Sequence, residues 1–172
     1  MSVKSRILLA FKAWPLVFGA IVAICWLTTF VSEWLGHPLP QQQSLDAIRN
    51  MHGMRLAQCI AIVVFVAPLV EEAIFRFGLF AFPLWIARRF AGERVPRAVP
   101  IIVMAVSSVL FTMAHYRSGV PLNNAFVALF FFGIAQCVLC RRSGGILSTF
   151  VNHALFNATN LVFLFALPPA TA

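Results

Sequence analysis

The sequence has little charge, and acidic residues are especially scarce. Only 10% of its 172 residues are charged, with 5 Asp and Glu against 13 Lys and Arg, while 61% are apolar. A water-soluble domain of this size could not bury so large an apolar fraction, so that class is excluded. The net charge of +8 does not indicate nucleic-acid binding, because the basic residues fall in short clusters between apolar runs and form no continuous stripe.

The chain also lacks the features of a secreted or multidomain protein. No small-residue cleavage site follows the first apolar stretch, and residues 14–35 are too long for a signal-peptide core, so we expect this segment to be retained. No internal repeat, low-complexity tract or second domain is evident. We predict a single transmembrane domain over 1–172, with an N-terminal helix and outer loop in 1–54 and the core in 55–167. The cysteines form no spaced disulfide framework; they are Cys25, Cys59, Cys137 and Cys140.

What the sequence has instead is a series of long apolar runs. A helix needs about 20 apolar residues to cross a hydrocarbon core about 30 Å thick. The sequence therefore predicts an all-α, polytopic transmembrane helix bundle of about five spans. The second span is overlong and contains Pro68 and Pro83, so we expect it to be kinked or broken. The five segments are 13–31, 56–87, 98–116, 122–140 and 146–167.

The basic residues predict the orientation of the bundle. With five spans, nine of the thirteen Lys and Arg fall on one side, only Arg49, Arg55 and Arg117 fall on the other, and Arg76 is embedded. Basic loops stay in the cytoplasm. We therefore expect a multi-pass protein of the plasma (inner) membrane with a cytoplasmic N-terminus. The nine residues are Lys4, Arg6, Lys12, Arg88, Arg89, Arg94, Arg97, Arg141 and Arg142.

Several ionisable side chains lie inside the predicted spans, where each costs about 2.5 to 3.5 kcal/mol on insertion scales. Such residues call for a functional reason. Three lie in the second span, one in the third and one in the fifth, where asparagines accompany it. The candidate site residues are Glu71, Glu72, Arg76, His115, His153 and Asn157.

The spacing of these residues predicts how they meet. Glu72 and Arg76 are four apart and can form an ion pair on one helix face, while Glu71 points about 100° away. Helical rise places Glu71 and His115 both about 25 Å from the basic loop, so the two can meet across a hairpin. His153 lies only about 16 Å from its basic end, which requires a tilted helix or an extended helix end.

Carboxylates and imidazoles in a low-dielectric setting suit hydrolysis. A buried carboxylate can take a proton from water, an imidazole can orient that water, and imidazole and amide hydrogens can stabilise a tetrahedral oxygen. No serine or cysteine nucleophile motif is evident. The alternatives are a non-catalytic membrane protein that binds a toxic peptide and confers immunity, a small transporter with a glutamate proton relay, and a structural polar network.

Three motifs in order carry a family resemblance. The chain is similar, over about residues 57–165, to the CPBP family, which includes the type II CAAX prenyl endopeptidases and the bacteriocin-processing Abi proteins. The resemblance implies that Glu71 activates water with His115, that His153 and Asn157 stabilise the oxyanion, and that Glu72 and Arg76 support the geometry. The motifs are Glu71-Glu72-Ala-Ile-Phe-Arg76, Phe111-Thr-Met-Ala-His115 and His153-Ala-Leu-Phe-Asn157.

The resemblance also leads to expectations about the cofactor and the substrate. The family is often described as metal-dependent, yet the residues suit a metal-free, glutamate-driven mechanism; we predict no cofactor, with a divalent metal such as zinc as the alternative. The expected partners are the lipid bilayer and a membrane-anchored protein or peptide that loses a C-terminal anchor or sorting signal. Prenylated CAAX substrates are the alternative. The chain departs from the family at Phe77, where glycine is usual, and in its short N-terminal part.

Overall fold

The computed structural model describes residues 1–38, 46–116 and 123–166, and this part of the chain contains helices and no strand. The all-α prediction is confirmed. Short turns join consecutive helices wherever the connection is described. In chain order the helices are α1 Val3–Trp34, α2 Asp46–Arg49, α3 Gly53–Ala91, α4 Ala98–Ala114, α5 Asn124–Ser143 and α6 Leu147–Ala166.

Helix α1 is longer than the apolar run that predicted it. It begins where the Ser2 side chain accepts a hydrogen bond from the Ser5 amide at 3.2 Å, and it carries Pro15 in its interior. The added N-terminal turns hold Lys4 and Arg6. An apolar run in the sequence predicts the part of a helix that lies in the membrane. The residue at which the helix begins depends on capping.

Helix α3 runs through both of its prolines without a break, so the broken-helix alternative is wrong. The chain widens to π turns over Ile62–Val66 and Glu72–Ala81. In each case the residue just before a proline closes a π bond: the Ala67 amide donates to the Ile62 carbonyl, and the Phe82 amide to the Phe77 carbonyl. A wider turn accommodates the missing proline amide and the bulk of its ring while the helix continues.

Within the described residues, three helices are long and apolar enough to cross a membrane, namely Val3–Trp34, Gly53–Ala91 and Asn124–Ser143. Helix α4 is apolar but has only 17 residues, and α6 is interrupted by His153 and several asparagines. Helices occupy all five predicted segments. Membrane crossing by α4 and α6 stays a prediction. The polar residues of these two helices contribute to the site described below.

Helix α5 lies at the centre of the bundle and packs against α1, α4, α6 and the long π segment of α3. Its closest approach is to α4, at Gly133: a β-carbon there would lie 2.9 Å from the Ser108 β-carbon. A core of Ile21, Phe75, Phe111, Ala128 and Phe132 joins four helices. Packing of small residues lets transmembrane helices approach closely, and this crossing sets the position of α4.

Candidate active site

Glu71 lies between two imidazoles that come from different helices. Its Oε1 is 3.8 Å from Nε2 of His115 at the end of α4, and its Oε2 is 3.6 Å from Nε2 of His153 on α6. Glu71 and His115 meet as predicted. His153 joins them, although helical rise places it nearer to the basic end of its helix than the other two residues are to theirs. Ten of the residues between Glu71 and Arg88 are in π turns, which hold more residues per turn than an α-helix, so the α-helical rise overestimates the length of that stretch.

The outer nitrogen of each imidazole is held by an oxygen acceptor. Nδ1 of His115 lies 2.9 Å from the Phe111 carbonyl oxygen, which the helix end leaves free because the His115 amide donates to the Thr112 carbonyl instead. Nδ1 of His153 lies 2.9 Å from Oε1 of Glu72. Since a carbonyl and a carboxylate only accept, each Nδ1 must donate. In the neutral rings, both Nε2 atoms therefore direct lone pairs towards Glu71.

The second glutamate has a closed environment. Glu72 and Arg76 are fully buried, and the Arg76 Nε lies 3.4 Å from Glu72 Oε2. The guanidinium also stacks over the Phe111 ring at 4.4 Å, a cation–π contact that compensates for lost hydration. Glu72 thus connects Arg76 with His153, which agrees with the predicted ion pair and links α3 directly to α6.

The two glutamates differ in solvent exposure, since Glu72 is fully buried and Glu71 is not. The Glu71 side chain is 24% exposed and that of His115 is 34% exposed, whereas His153 retains 4%. Glu71 and His115 can therefore be reached from outside the bundle, and the other groups support them from behind. Two aromatic rings pack against His153: Phe132 is at 4.8 Å and Phe111 at 6.0 Å between ring centroids. These rings fix the plane of the imidazole.

Asn157 does not contact the glutamates. Its Nδ2 donates to the Val63 carbonyl oxygen at 2.8 Å, within the first π segment of α3. An amide nitrogen carries two hydrogens, so one remains for another acceptor. The predicted role of Asn157 at an oxyanion stays a prediction; in this structure the residue joins α6 to the part of α3 that precedes Glu71.

Sequence reasoning missed a second buried polar network behind the site. Gln136 on α5 donates from Nε2 to Oδ1 of Asn152 at 2.9 Å, and Asn152 donates to the Ala10 carbonyl at 3.1 Å. Ser107 donates to the Phe75 carbonyl at 2.7 Å. A lone amide or hydroxyl in an apolar span is a weaker signal than a charge, although Gln136 inside an apolar run could have marked α5 as a neighbour of the site.

Over 1–38, 46–116 and 123–166, no group of three or more His, Cys, Asp or Glu side chains is arranged to hold a metal ion. Cys137 and Cys140, which form a CxxC, are buried at the α4–α5 contact, where the Cys137 thiol lies 3.9 Å from the Ser107 hydroxyl. This burial favours packing as the role of the CxxC.

Comparison with known proteins identifies the family. No curated protein and no solved structure gives a significant match. A family model described as type II CAAX prenyl endopeptidase Rce1-like matches residues 54–159, the stretch that carries all six candidate site residues and excludes α1. A match over more than half of the 172 residues shows the family, and with the apolar helices it makes the chain a multi-pass membrane protein. The chain belongs to the type II CAAX prenyl endopeptidase Rce1-like family of intramembrane proteases.

Proposed function

We propose that the chain hydrolyses a peptide bond of a membrane-presented substrate with water activated by Glu71. The observation that carries the proposal is the convergence of two imidazole Nε2 atoms on the two oxygens of one carboxylate, at 3.6 and 3.8 Å. These distances exceed those of direct hydrogen bonds. They suit a water that donates one hydrogen to Glu71 and the other to an Nε2 lone pair.

In the proposed reaction the water oxygen attacks the scissile carbonyl carbon while Glu71 takes the proton. His115 holds the water and is the more accessible of the two imidazoles. The proton on Glu71 then passes to the leaving amine as the carbon–nitrogen bond breaks, which returns Glu71 to its carboxylate form. Each turnover consumes one water and leaves a new carboxylate and a new amine.

The hydrogen bond from His153 to Glu72 limits what this imidazole can do in the proposed reaction. Because Nδ1 already donates to Glu72, Nε2 can donate to an oxyanion only when the ring is an imidazolium. The adjacent Glu72 carboxylate, itself paired with Arg76, stabilises that charge. A preorganised charged donor of this kind supports a tetrahedral intermediate strongly. Asn157 would supply the second donor with its remaining amide hydrogen.

The experiment compares new protein C-termini in membranes of cells that express the wild type or Glu71→Gln at matched levels. Termini that disappear in the variant establish proteolysis and identify the substrates. Glu33→Gln is the control, because Glu33 is exposed on α1 outside the site and the change is chemically the same. Unchanged termini in Glu71→Gln and in His115→Ala would overturn the proposal.

The same experiment distinguishes the substrate classes. We expect a membrane protein with a C-terminal anchor or sorting signal, cleaved on the outer side, since the predicted orientation places Glu71 towards that side. Cleavage three residues before a C-terminus next to a prenylated cysteine would instead identify CAAX substrates delivered from the cytoplasm. Peptide immunity or transport that survives Glu71→Gln combined with His153→Ala would favour a non-catalytic role.

Metal dependence has a direct test. We expect the purified protease to keep its activity after treatment with 1,10-phenanthroline followed by desalting, since in the proposed reaction Glu71 and His115 activate the water without a metal. An inactive chelated enzyme that regains activity with zinc would show metal dependence, with Glu71, His115 and His153 as the candidate ligands. The six site residues would then be metal ligands and their supports.

A further inference from the structure

A cavity lies at the opposite end of α3 from Glu71. It has a volume of about 470 Å³ and is lined by Arg88, Gly92, Val95, Pro96, Arg97 and Pro100. These residues belong to the last turns of α3, the short connection and the first turn of α4. The volume is in the range of small-ligand sites. None of the lining residues takes part in the proposed hydrolysis.

The cavity is strongly cationic. Two of its six lining residues are arginines with exposed side chains, and the ion pairs of the described residues all lie at the Glu71–Glu72 site and involve neither of them. The hairpin 88–97 contains four arginines and one acidic residue, Glu93. Guanidinium groups that face a cavity recognise anions, and phosphate in particular, and the described side chains supply no carboxylate partner to Arg88 or Arg97.

The walls of the cavity are stiff. Pro96 and Pro100 have fixed φ angles, and Gly92 ends α3 with φ of 57°, a conformation that glycine adopts without strain. The Val99 amide is engaged by the Pro96 carbonyl, which closes the first turn of α4. The positive end of α4 and the negative end of α3 both lie at the cavity, so its positive charge comes from the two arginines. A ligand would thus meet a preformed site.

Exposed aromatic residues on the last turns of α3 support a headgroup depth for the cavity. Trp85 is 60% exposed and Phe90 is 85% exposed on the last turns of α3. Exposed tryptophan in a membrane helix marks the interface between hydrocarbon and headgroups. Basic pockets between transmembrane helices at this depth suit lipid phosphate.

We propose that this cavity binds the phosphate group of an anionic phospholipid, held by Arg88 and Arg97. Inorganic phosphate has the same recognition chemistry and is the other source of such a group. Specific binding of phosphate in this cavity depends on these two arginines. Non-specific electrostatic attraction to a membrane surface would depend on the total charge of the hairpin.

The test uses the purified full chain in a neutral detergent and measures its thermal unfolding with added phosphatidylglycerol or phosphatidylcholine. We expect phosphatidylglycerol to raise the Tm of the wild type clearly more than phosphatidylcholine, whose phosphate is accompanied by the cation of its own choline group. In Arg88→Gln with Arg97→Gln, the apparent affinity for phosphatidylglycerol should fall about tenfold or more. Both arginines are exposed, so the Tm without lipid should stay near that of the wild type.

The matched control is Arg89→Gln with Arg94→Gln, which removes the same charge from the same hairpin but leaves the cavity lining intact. This variant should keep the phosphatidylglycerol shift. Equal losses in the two double variants, or equal shifts with both lipids, would overturn the site. An equal stabilisation by inorganic phosphate, abolished by the same two substitutions, would support phosphate recognition and overturn lipid as its source.

Discussion

Glu71 and Glu72 are adjacent in the sequence and share His153 as a neighbour, yet they differ in exposure and in their other partners. Glu72 is fully buried between Arg76 and His153, so its position is fixed by two partners. Glu71 is partly exposed and faces the Nε2 atoms of two imidazoles without a direct hydrogen bond to either. A carboxylate that must collect and release a proton needs the second environment. The proposed division of roles follows from these contacts.

The buried pair gives a prediction about stability. Arg76→Met should lower the free energy of unfolding by about 3 to 5 kcal/mol, because Glu72 then stays buried without its cation. The double variant Arg76→Met with Glu72→Gln should recover at least half of that loss, since no buried charge remains, while cleavage stays impaired. Unfolding in mixed detergent micelles measures both variants. Arg89→Met, on the exposed surface, is the control; a double variant as unstable as the single one would contradict the argument.

Asn157 gives a second prediction at this scale. Asn157→Ala leaves the Val63 carbonyl without its donor, which should cost about 1 to 3 kcal/mol of stability. If its remaining hydrogen stabilises the oxyanion, kcat should also fall about 10²- to 10³-fold with little change in KM. Steady-state kinetics and unfolding measure the two effects separately. Asn160→Ala is the control, because that amide donates only within its own helix, to Phe156; a normal kcat in Asn157→Ala would assign the residue a structural role.

The sequence was informative about which residues meet and less so about how they are held. The i to i+4 spacing predicted the Glu72–Arg76 pair, since it needs only helix geometry. The contact of Asn157 with the Val63 carbonyl could not be predicted, because it depends on a π turn freeing a carbonyl. The partners of His153 required the crossing of α3 and α6, which no local pattern encodes.

At the scale of helices, the two π segments of α3 decide where its side chains point. Each segment lets the helix continue through a proline that follows it, and the second segment contains Glu72 and Arg76. The sequence predicted a disturbance at Pro68 and Pro83 because proline removes an amide. It could not predict whether the helix would kink, break or widen, since that depends on the helices that pack around it.

The crossing of α4 and α5 gives a prediction at the same scale. Gly133→Ala would place a β-carbon 2.9 Å from the Ser108 β-carbon and 3.1 Å from its α-carbon, so the helices must separate. We expect a loss of about 1 to 3 kcal/mol in stability and lower activity, because α4 carries His115. Gly19→Ala is the matched control in α1, where a β-carbon meets nothing within 4 Å, and it should be neutral or slightly stabilising.

Ser108→Gly would remove the atoms nearest to the added methyl group. Combined with Gly133→Ala, it should restore part of the stability and activity. Unfolding and cleavage assays on the three variants measure the effect. Wild-type behaviour of Gly133→Ala alone would show that the two helices are free to separate at this point.

For the whole molecule, the orientation in the membrane stays a prediction from charge. Nine of the thirteen basic residues fall on the side of the N-terminus, so a fluorescent reporter at the N-terminus should fold in the cytoplasm and alkaline phosphatase at the C-terminus should be active outside. Truncation after Ser143, at the end of α5, should reverse the C-terminal result. An inactive phosphatase on the full chain would indicate an even number of spans.

The site is assembled from parts of the chain that are far apart in sequence, and this has a consequence for biosynthesis. Glu72 and Arg76 share one helix and can pair as soon as α3 leaves the ribosome. Glu72 and His153 are 81 residues apart, so the imidazole that completes the site arrives only with α6. Until then the nascent protein holds a base without its supporting ring. The enzyme that we propose is thus inert throughout its own insertion and becomes competent only when α6 has joined the bundle.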